Sequence, residues 1–260
     1  MTHVRVIPTL LLTGRGIVKT VGFDDPTYIG CAINAVRVFN ANDVDELILL
    51  DIEATAEGRI PDAERVTEIC DESLMPVAVG GGLRDVESVR EMLACGADKV
   101  VLNTAALEVP GLIGDCAAKF GSQCVVVSLD ARRGGDDYEV FTHRGTRGTG
   151  RTPREVAVAL EEQGAGEILV NSIQRDGTWE GYDLELVSSV AAAVGVPVIA
   201  LGGAGSVQDL GRAVNDAGAS AVSAGSLFVY HGRRRGVLIT FPTQQELTDA
   251  LGPDSVRERV

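Results

Sequence analysis

The chain has 260 residues, of which 45% are hydrophobic and only 4% aromatic, and its formal charge at pH 7 is −14. This length suits one large buried core, and the shortage of aromatics favours stacked Val, Leu and Ala layers over an aromatic-rich β-sandwich. The acidic balance repels nucleic-acid backbones and anionic membranes, so neither is expected as a partner, and an anionic ligand must be held by local donors.

In chain order, eight short apolar runs predict strands at 5–12, 46–52, 75–79, 99–103, 123–130, 167–172, 197–201 and 220–225. Continuous β-branched runs of this kind suit strands buried on both faces of a parallel sheet. Amphipathic stretches at 61–72, 85–95 and 153–164 read as helices between them, and Pro61, Pro110 and Pro153 stand where a helix would begin. Such alternation predicts α/β architecture, either doubly wound or closed.

An internal repeat decides between the two. Residues 75–107 match 196–228 at an offset of 121 residues (Pro76 to Pro197), with the diglycines, the helix, the Gly-Ala turn and the last strand in register. Runs 4–12 and 124–132 likewise begin two halves. Four βα units per half make a (β/α)8 TIM barrel, whereas the same repeat on an open sheet would leave unlike edges. One barrel is expected over 1–260, with half-barrels at about 1–120 and 121–252 and a tail at 253–260. A hairpin-like insert at 131–152 follows strand 5, on the C-terminal face where barrel enzymes keep their chemistry.

The five cysteines at 31, 70, 95, 116 and 124 show no CxxC or CxxH spacing and read as buried small hydrophobes in a reducing cytosol. No signal peptide or membrane-length apolar stretch is evident, so a soluble cytoplasmic protein is expected. His3, His143 and His231 lack ligand spacing, so neither metal nor cofactor is called for. The basic run at 233–235 is too short for a nucleic-acid arm.

Each half carries a glycine-rich turn after one strand and a small-residue turn after the next. The first half offers Gly80, Gly81, Gly82, Asn103 and Thr104; the second offers Gly177, Gly202, Gly203, Gly205, Ala224, Gly225 and Ser226. Glycines let backbone N–H groups approach an anion, and a helix start behind them adds free donors. Two matched turns on one face suggest a long ligand with a phosphate at each end. Three carboxylates, Asp51, Asp130 and Asp176, end strands on that face and are the candidate acids and bases. Lys19, placed in a loop after strand 1, is expected to pair with Asp51 or contact an anion. Leu11 lies opposite Asp130 by the repeat, so only one of two symmetry-related carboxylates is present. Cys31 has no partnered His and reads as structural.

With these residues in place, the chain resembles the HisF family, the cyclase subunits of imidazole glycerol phosphate synthase. The resemblance rests on IVKT (17–20), DELILLDIEA (45–54), VGGGLRD (79–85), GADKVVLNTAA (96–106), FGSQCVVVSLD (120–130), GAGEILVNSIQRDGT (164–178), GYDLEL (181–186) and GGAG (202–205). It implies a barrel that receives ammonia from a separate glutaminase docked on the N-terminal face. The chain has no glutaminase nucleophile motif of its own. Arg5, Glu46, Lys99 and Glu167, at the starts of strands 1, 2, 4 and 6, match the family's ammonia gate, and Asp98 is a candidate for contact with the glutaminase. The family's strand-5 carboxylate is matched by Asp130. Leu11 replaces its strand-1 partner, and Asn171 and Leu201 stand where small hydroxyl residues are usual.

The segment 9–40 also resembles a divergent branch of this family that works with a glutaminase and a sugar amidotransferase in amidino-sugar and surface-polysaccharide synthesis. Leu10, Leu11, Leu12 and KTVGF (19–23) carry that likeness, while Cys31 and Ala32 depart from its acidic-Pro pair. The leading expectation is thus an ammonia-relaying barrel for sugar amidation. Its alternatives are a working cyclase acting on a bis-phosphorylated ribulosyl substrate, and a non-catalytic scaffold that activates the glutaminase and binds a phosphorylated ligand.

Overall fold

The computed structural model describes residues 3–14, 16–135, 137–232 and 234–256. Arg233 and residues 257–260 of the expected tail lie outside them. In chain order the elements are β1 (Arg5–Thr13), β2 (Gly16–Val21), β3 (Asp24–Gly30), α1 (Ala32–Asn40), β4 (Leu47–Asp51), α2 (Ala63–Glu72), β5 (Val77–Gly80), α3 (Val86–Ala94), β6 (Lys99–Leu102), α4 (Thr104–Glu108) and α5 (Leu112–Phe120). The second half runs through β7 (Val125–Gly134), β8 (Asp137–Thr142), β9 (Arg147–Gly148), α6 (Pro153–Glu162), β10 (Glu167–Ser172), α7 (Leu184–Ala191), β11 (Val198–Leu201), α8 (Val207–Asn215), β12 (Ala221–Ala224), α9 (Ser226–Val229), β13 (Tyr230–His231), β14 (Gly236–Val237) and α10 (Gln244–Leu251).

Strands β1, β4, β5, β6, β7, β10, β11 and β12 pair in parallel in that order, and β12 pairs with β1 through Arg5 opposite Ala221, closing the barrel. Alternate strand residues face the lumen. The lumen is therefore layered: a charged floor of Arg5, Glu46, Lys99 and Glu167 lies below an apolar middle that includes Ile7, Ile48, Val101, Val126, Leu169, Ile199 and Ala221. The residues two further along each strand, such as Thr9, Leu50, Ser128, Asn171, Leu201 and Ser223, form the ceiling. The opposite strand faces pack against the helices in a second, larger apolar cluster that includes Phe39, Met92, Ile113 and Phe228. No helix among the described residues is long and apolar enough to cross a membrane.

The helices start where polar caps satisfy their free N–H groups. Asp85 with Ser88, Thr152 with Glu155, and Ser206 with Asp209 form capping boxes at α3, α6 and α8. Asp85 and Ser206 are 121 residues apart, so the sequence repeat is also a repeat of caps. Pro153 occupies the first turn of α6 as expected, but Pro61 and Pro110 do not open helices. Each precedes the capping residue, Asp62 or Gly111, so it marks the approach to a helix rather than its first turn.

Two expectations along the chain are corrected. The segment after strand 1 is not a loop: β2 pairs antiparallel with β1 and β3 pairs with β2, which places Lys19 on a strand. The lone polar Lys19 in an apolar run obscured that pattern, and Pro26 broke the β3 signal. The cysteines are also not uniformly buried, since Cys31 is exposed and only Cys116 is fully covered. The insert after strand 5 does form a hairpin, with β7 continuing past the barrel rim to pair with β8. The start of the tail is tied down, because Val4 donates its N–H to the Ser255 carbonyl at 2.9 Å.

Candidate functional site

A pocket opens at the C-terminal mouth of the barrel. Leu11, Leu50 and Leu201 give it an apolar floor, Asp130 and Asn171 add polar groups, and the β2–β3 and β8–β9 hairpins supply Phe23 and Arg144. Arg144 donates to the Phe23 carbonyl at 3.1 Å, which joins the two hairpins. At one end the pocket reaches Gly81, Gly82, Asn103 and Thr104. At the other, a smaller recess shares Lys19, Asp176 and Gly225 with it and adds Gly177, Gly202, Gly203, Ala224 and Ser226. Leu11 and Asp130 line the same pocket, as the repeat implied.

The glycine turns are close approaches of backbone. Gly81 and Gly202 both have positive φ, and a Cβ on either would lie 2.2 Å from the Asp51 carbonyl or 2.7 Å from the Ser172 carbonyl. Those carbonyls are again 121 residues apart, so the two turns are one device used twice. Ser226 Oγ is buried at the second recess with no hydrogen-bond partner. Gly205 is not part of either pocket: its N–H goes to Asp209 Oδ2 at 3.1 Å, within the α8 cap. The side chains of Asn103 and Thr104 are committed elsewhere, since Asn103 Nδ2 donates to the Ser128 and Phe141 carbonyls and Thr104 Oγ1 accepts from His143 N–H.

The three candidate carboxylates have different surroundings. Asp51 accepts two bonds from Arg59, at 2.6 and 3.2 Å, and two more from the N–H groups of Glu53 and Ala54. Its hydrogen bond to Arg59 is the chief reason the Arg59 pKa is pushed up. Asp176 is held by Lys19 Nζ at 2.6 Å and Thr20 Oγ1 at 2.7 Å, and its own carbonyl accepts the N–H of Gly22. Lys19 thus pairs with Asp176 rather than with Asp51, and the pair pins the β2–β3 hairpin to the loop after β10. Both carboxylates are held by donors, from its own loop for Asp51 and from the neighbouring hairpin for Asp176.

Asp130 differs. Burial pushes its pKa up to about 6, with Asp176 adding repulsion, while hydrogen bonds from Ser128 Oγ (3.0 Å) and Asn171 Nδ2 (3.3 Å) act the other way. A carboxyl poised there is a proton donor and acceptor near neutral pH. The sequence pattern alone does not reveal Arg59, Ser128 or Arg144; only Ser128, two residues before Asp130 on the same strand face, offers a retrospective signal.

At the opposite mouth the four charges of the floor meet in a closed ring. Arg5 bonds Glu46 and lies 3.1 Å from Glu167, and Lys99 reaches Glu46 at 2.8 Å and Glu167 at 2.9 Å. Burial works against the Arg5 charge, yet the two glutamates overcome it and its pKa is raised. Asp98, exposed beside the ring, accepts the Val77 N–H at 2.9 Å.

The sequence model of the histidine biosynthesis protein family matches residues 5–234. A putative imidazole glycerol phosphate synthase subunit hisF2 of Pseudomonas aeruginosa is 50% identical over 95% of the chain and 99% of that relative. A putative imidazole glycerol phosphate synthase subunit HisF of Leptospira interrogans is 44% identical over 95% and 98%. An imidazole glycerol phosphate synthase subunit HisF of Hyphomonas neptunium is 47% identical over 88% and 90%. These names carry histidine biosynthesis, and none of them carries the sugar amidation expected from the segment 9–40. With a closed eightfold barrel, a twofold repeat and these matches along its length, the chain belongs to the HisF family of histidine biosynthesis proteins.

Proposed function

We propose that this chain is an ammonia-using cyclase subunit of the imidazole glycerol phosphate synthase type. In this reading the bis-phosphorylated ribulosyl substrate spans the C-terminal mouth, with one phosphate at Gly81, Gly82 and the backbone of Asn103 and Thr104. The other lies at Gly177, Gly203, Ala224, Gly225 and Ser226, where the unpartnered Ser226 hydroxyl supplies a donor. Ammonia comes from a glutaminase docked on the opposite face near Asp98, enters past Arg5, Glu46, Lys99 and Glu167, and meets the substrate beside Asp130.

The observation that carries the reading is Asp130, a carboxyl pushed up by burial to a pKa of about 6 in the pocket that reaches both glycine turns. Ionised at pH 8, it takes a proton from the nitrogen as ammonia adds to the ribulosyl ketone, whose oxygen leaves as water. The same nitrogen then bonds to the formimino carbon, and Asp130 returns the proton to the aminoimidazole carboxamide ribotide nitrogen as its bond to that carbon breaks, which closes the imidazole ring. Asp51 and Asp176 hold loops and Lys19 holds Asp176, so none of the three moves a proton. The test is direct: the purified chain, given the bis-phosphorylated substrate and an ammonium salt at pH 8, should release both products. No turnover with intact substrate binding would rule the cyclase out.

A second reading, an ammonia relay that does not close the ring, is favoured by Leu11, whose side chain faces the pocket and cannot carry a proton. Leu11→Asp decides between them. If proton transfer at strand 1 is what limits the chain, the variant should close the ring about 10²–10⁴-fold faster, the usual range for one general acid or base. Where the parent closes the ring, an unchanged or lower rate would show that Asp130 suffices. Only with glutamine, glutaminase and a separate acceptor does the relay predict turnover.

A further inference from the structure

Two buried side-chain oxygens without a hydrogen bond, Glu167 Oε2 and Asn171 Oδ1, stand at opposite ends of β10. Positions 167, 169 and 171 share the lumen face of that strand, and Leu169 between them belongs to the apolar lining. Arg5 comes within 3.1 Å of Glu167 Oε2 without hydrogen-bond alignment, so this oxygen is neutralised but still able to accept. Asn171 is 6% exposed and lines the upper pocket.

The orientation of the Asn171 amide is set by its neighbour. Nδ2 donates to Asp130 Oδ1, and the reverse orientation would face the amide carbonyl toward an ionised carboxylate. Oδ1 is thereby turned toward Gly202, where a Cβ would come within 3.0 Å of it. The leucines that line the same pocket, Leu11, Leu50 and Leu201, have nothing to donate. A buried carbonyl in this position wants a small N–H or O–H donor. The apolar middle of the lumen admits a neutral molecule far more readily than a cation.

We propose that Asn171 Oδ1 receives ammonia at the upper end of the lumen, so that β10 carries an acceptor at each end of the passage and the Asn171–Asp130 pair holds the nitrogen. This rests on the ammonia-using reading above. It makes Asn171 a substrate-binding residue that accepts one N–H from the nitrogen, with Asp130 at hand for the next proton.

The experiment uses the full chain, isotopically labelled, with ammonium chloride titrated at pH 8.5 and potassium chloride as a control cation of similar size that has no N–H. The side-chain carbonyl carbons of Asn171 and Asp130 are followed by NMR. Both should shift saturably with ammonium chloride and not with potassium chloride. In Asn171→Leu the Asp130 response should need about tenfold more ammonium, the scale of one hydrogen bond. Asn171→Thr, which keeps an acceptor oxygen, should stay within about threefold of the parent. Absence of a saturable, ammonium-specific shift in the parent chain overturns the proposal whether or not the variants fold, and so does an unchanged Asp130 response in a folded Asn171→Leu. Ring closure measured on the same sample separates the two readings: the shift without turnover removes the proposed reaction and keeps this site, while turnover with no shift does the reverse.

Discussion

Lys99→Met should lower the folding stability of the chain by about 3 kcal/mol at pH 7.5, read as a shift in the urea midpoint with an unchanged slope. Lys99 Nζ bridges Glu46 at 2.8 and 3.0 Å and Glu167 at 2.9 Å, in a floor where the Glu46 side chain is almost completely covered. Methionine fills similar space, so the loss is electrostatic rather than a cavity. Two carboxylates are left facing each other with Arg5 as their shared cation. Removing one partner of a buried ion pair costs more than the pair contributed, because the remaining charge stays desolvated. Lys99→Met combined with Glu167→Gln should recover much of the loss, since each substitution removes what the other leaves unpaired. A shift below about 0.5 kcal/mol would mean that water reaches the ring and screens it like a surface pair. If ammonia enters past the ring, as proposed, glutamine-dependent turnover with the glutaminase should also fall in Lys99→Met relative to turnover with free ammonium.

The barrel itself was legible because its physics is local and repeated. A strand buried on both faces must be continuously apolar, and the repeat at 121 residues excluded an open sheet. The floor charges were legible for the same reason: Arg5, Glu46, Lys99 and Glu167 interrupt apolar runs at their beginnings, where strand polarity places them all at one mouth. What could not be read was pairing across the mouth. Asp51, Asp130 and Asp176 look alike in sequence, yet Arg59 saturates the first and Lys19 with Thr20 the third. These partners come from a loop turn and from a hairpin strand whose Lys19 and Pro26 hide the period. Gly205, expected at an anion turn, gives its N–H to a helix cap, a competition that composition does not display.

Asp130→Asn should separate stability from activity in opposite directions. The native pKa of Asp130 is about 6 against an ordinary 3.8, so the folded chain holds this proton more tightly than the unfolded chain. Its contribution is therefore most favourable below pH 4 and is lost as pH rises through the window from about 4 to about 6. Above that window the ionised carboxylate costs the fold up to about 3 kcal/mol, from roughly two units at 1.36 kcal/mol each. Asparagine has no charge to desolvate, but it gives up the charge-assisted hydrogen bonds from Ser128 and Asn171 and must re-pair its amide protons with Ser128 Oγ or a turned Asn171 Oδ1. A net gain of about 1–2 kcal/mol at pH 8 is expected, vanishing near pH 4. Ring closure, if it depends on this carboxyl, should fall by about 10²–10⁴. In the parent chain the rate should drop as pH falls below about 6, because the base must be ionised to take the first proton. Matched urea titrations at pH 4 and 8, with turnover measured at pH 8, test both halves. A variant less stable than the parent at both pH values would show that Ser128 and Asn171 already compensate the buried charge. A variant with undiminished turnover would remove Asp130 from the chemistry, leaving substrate groups or water to move the protons.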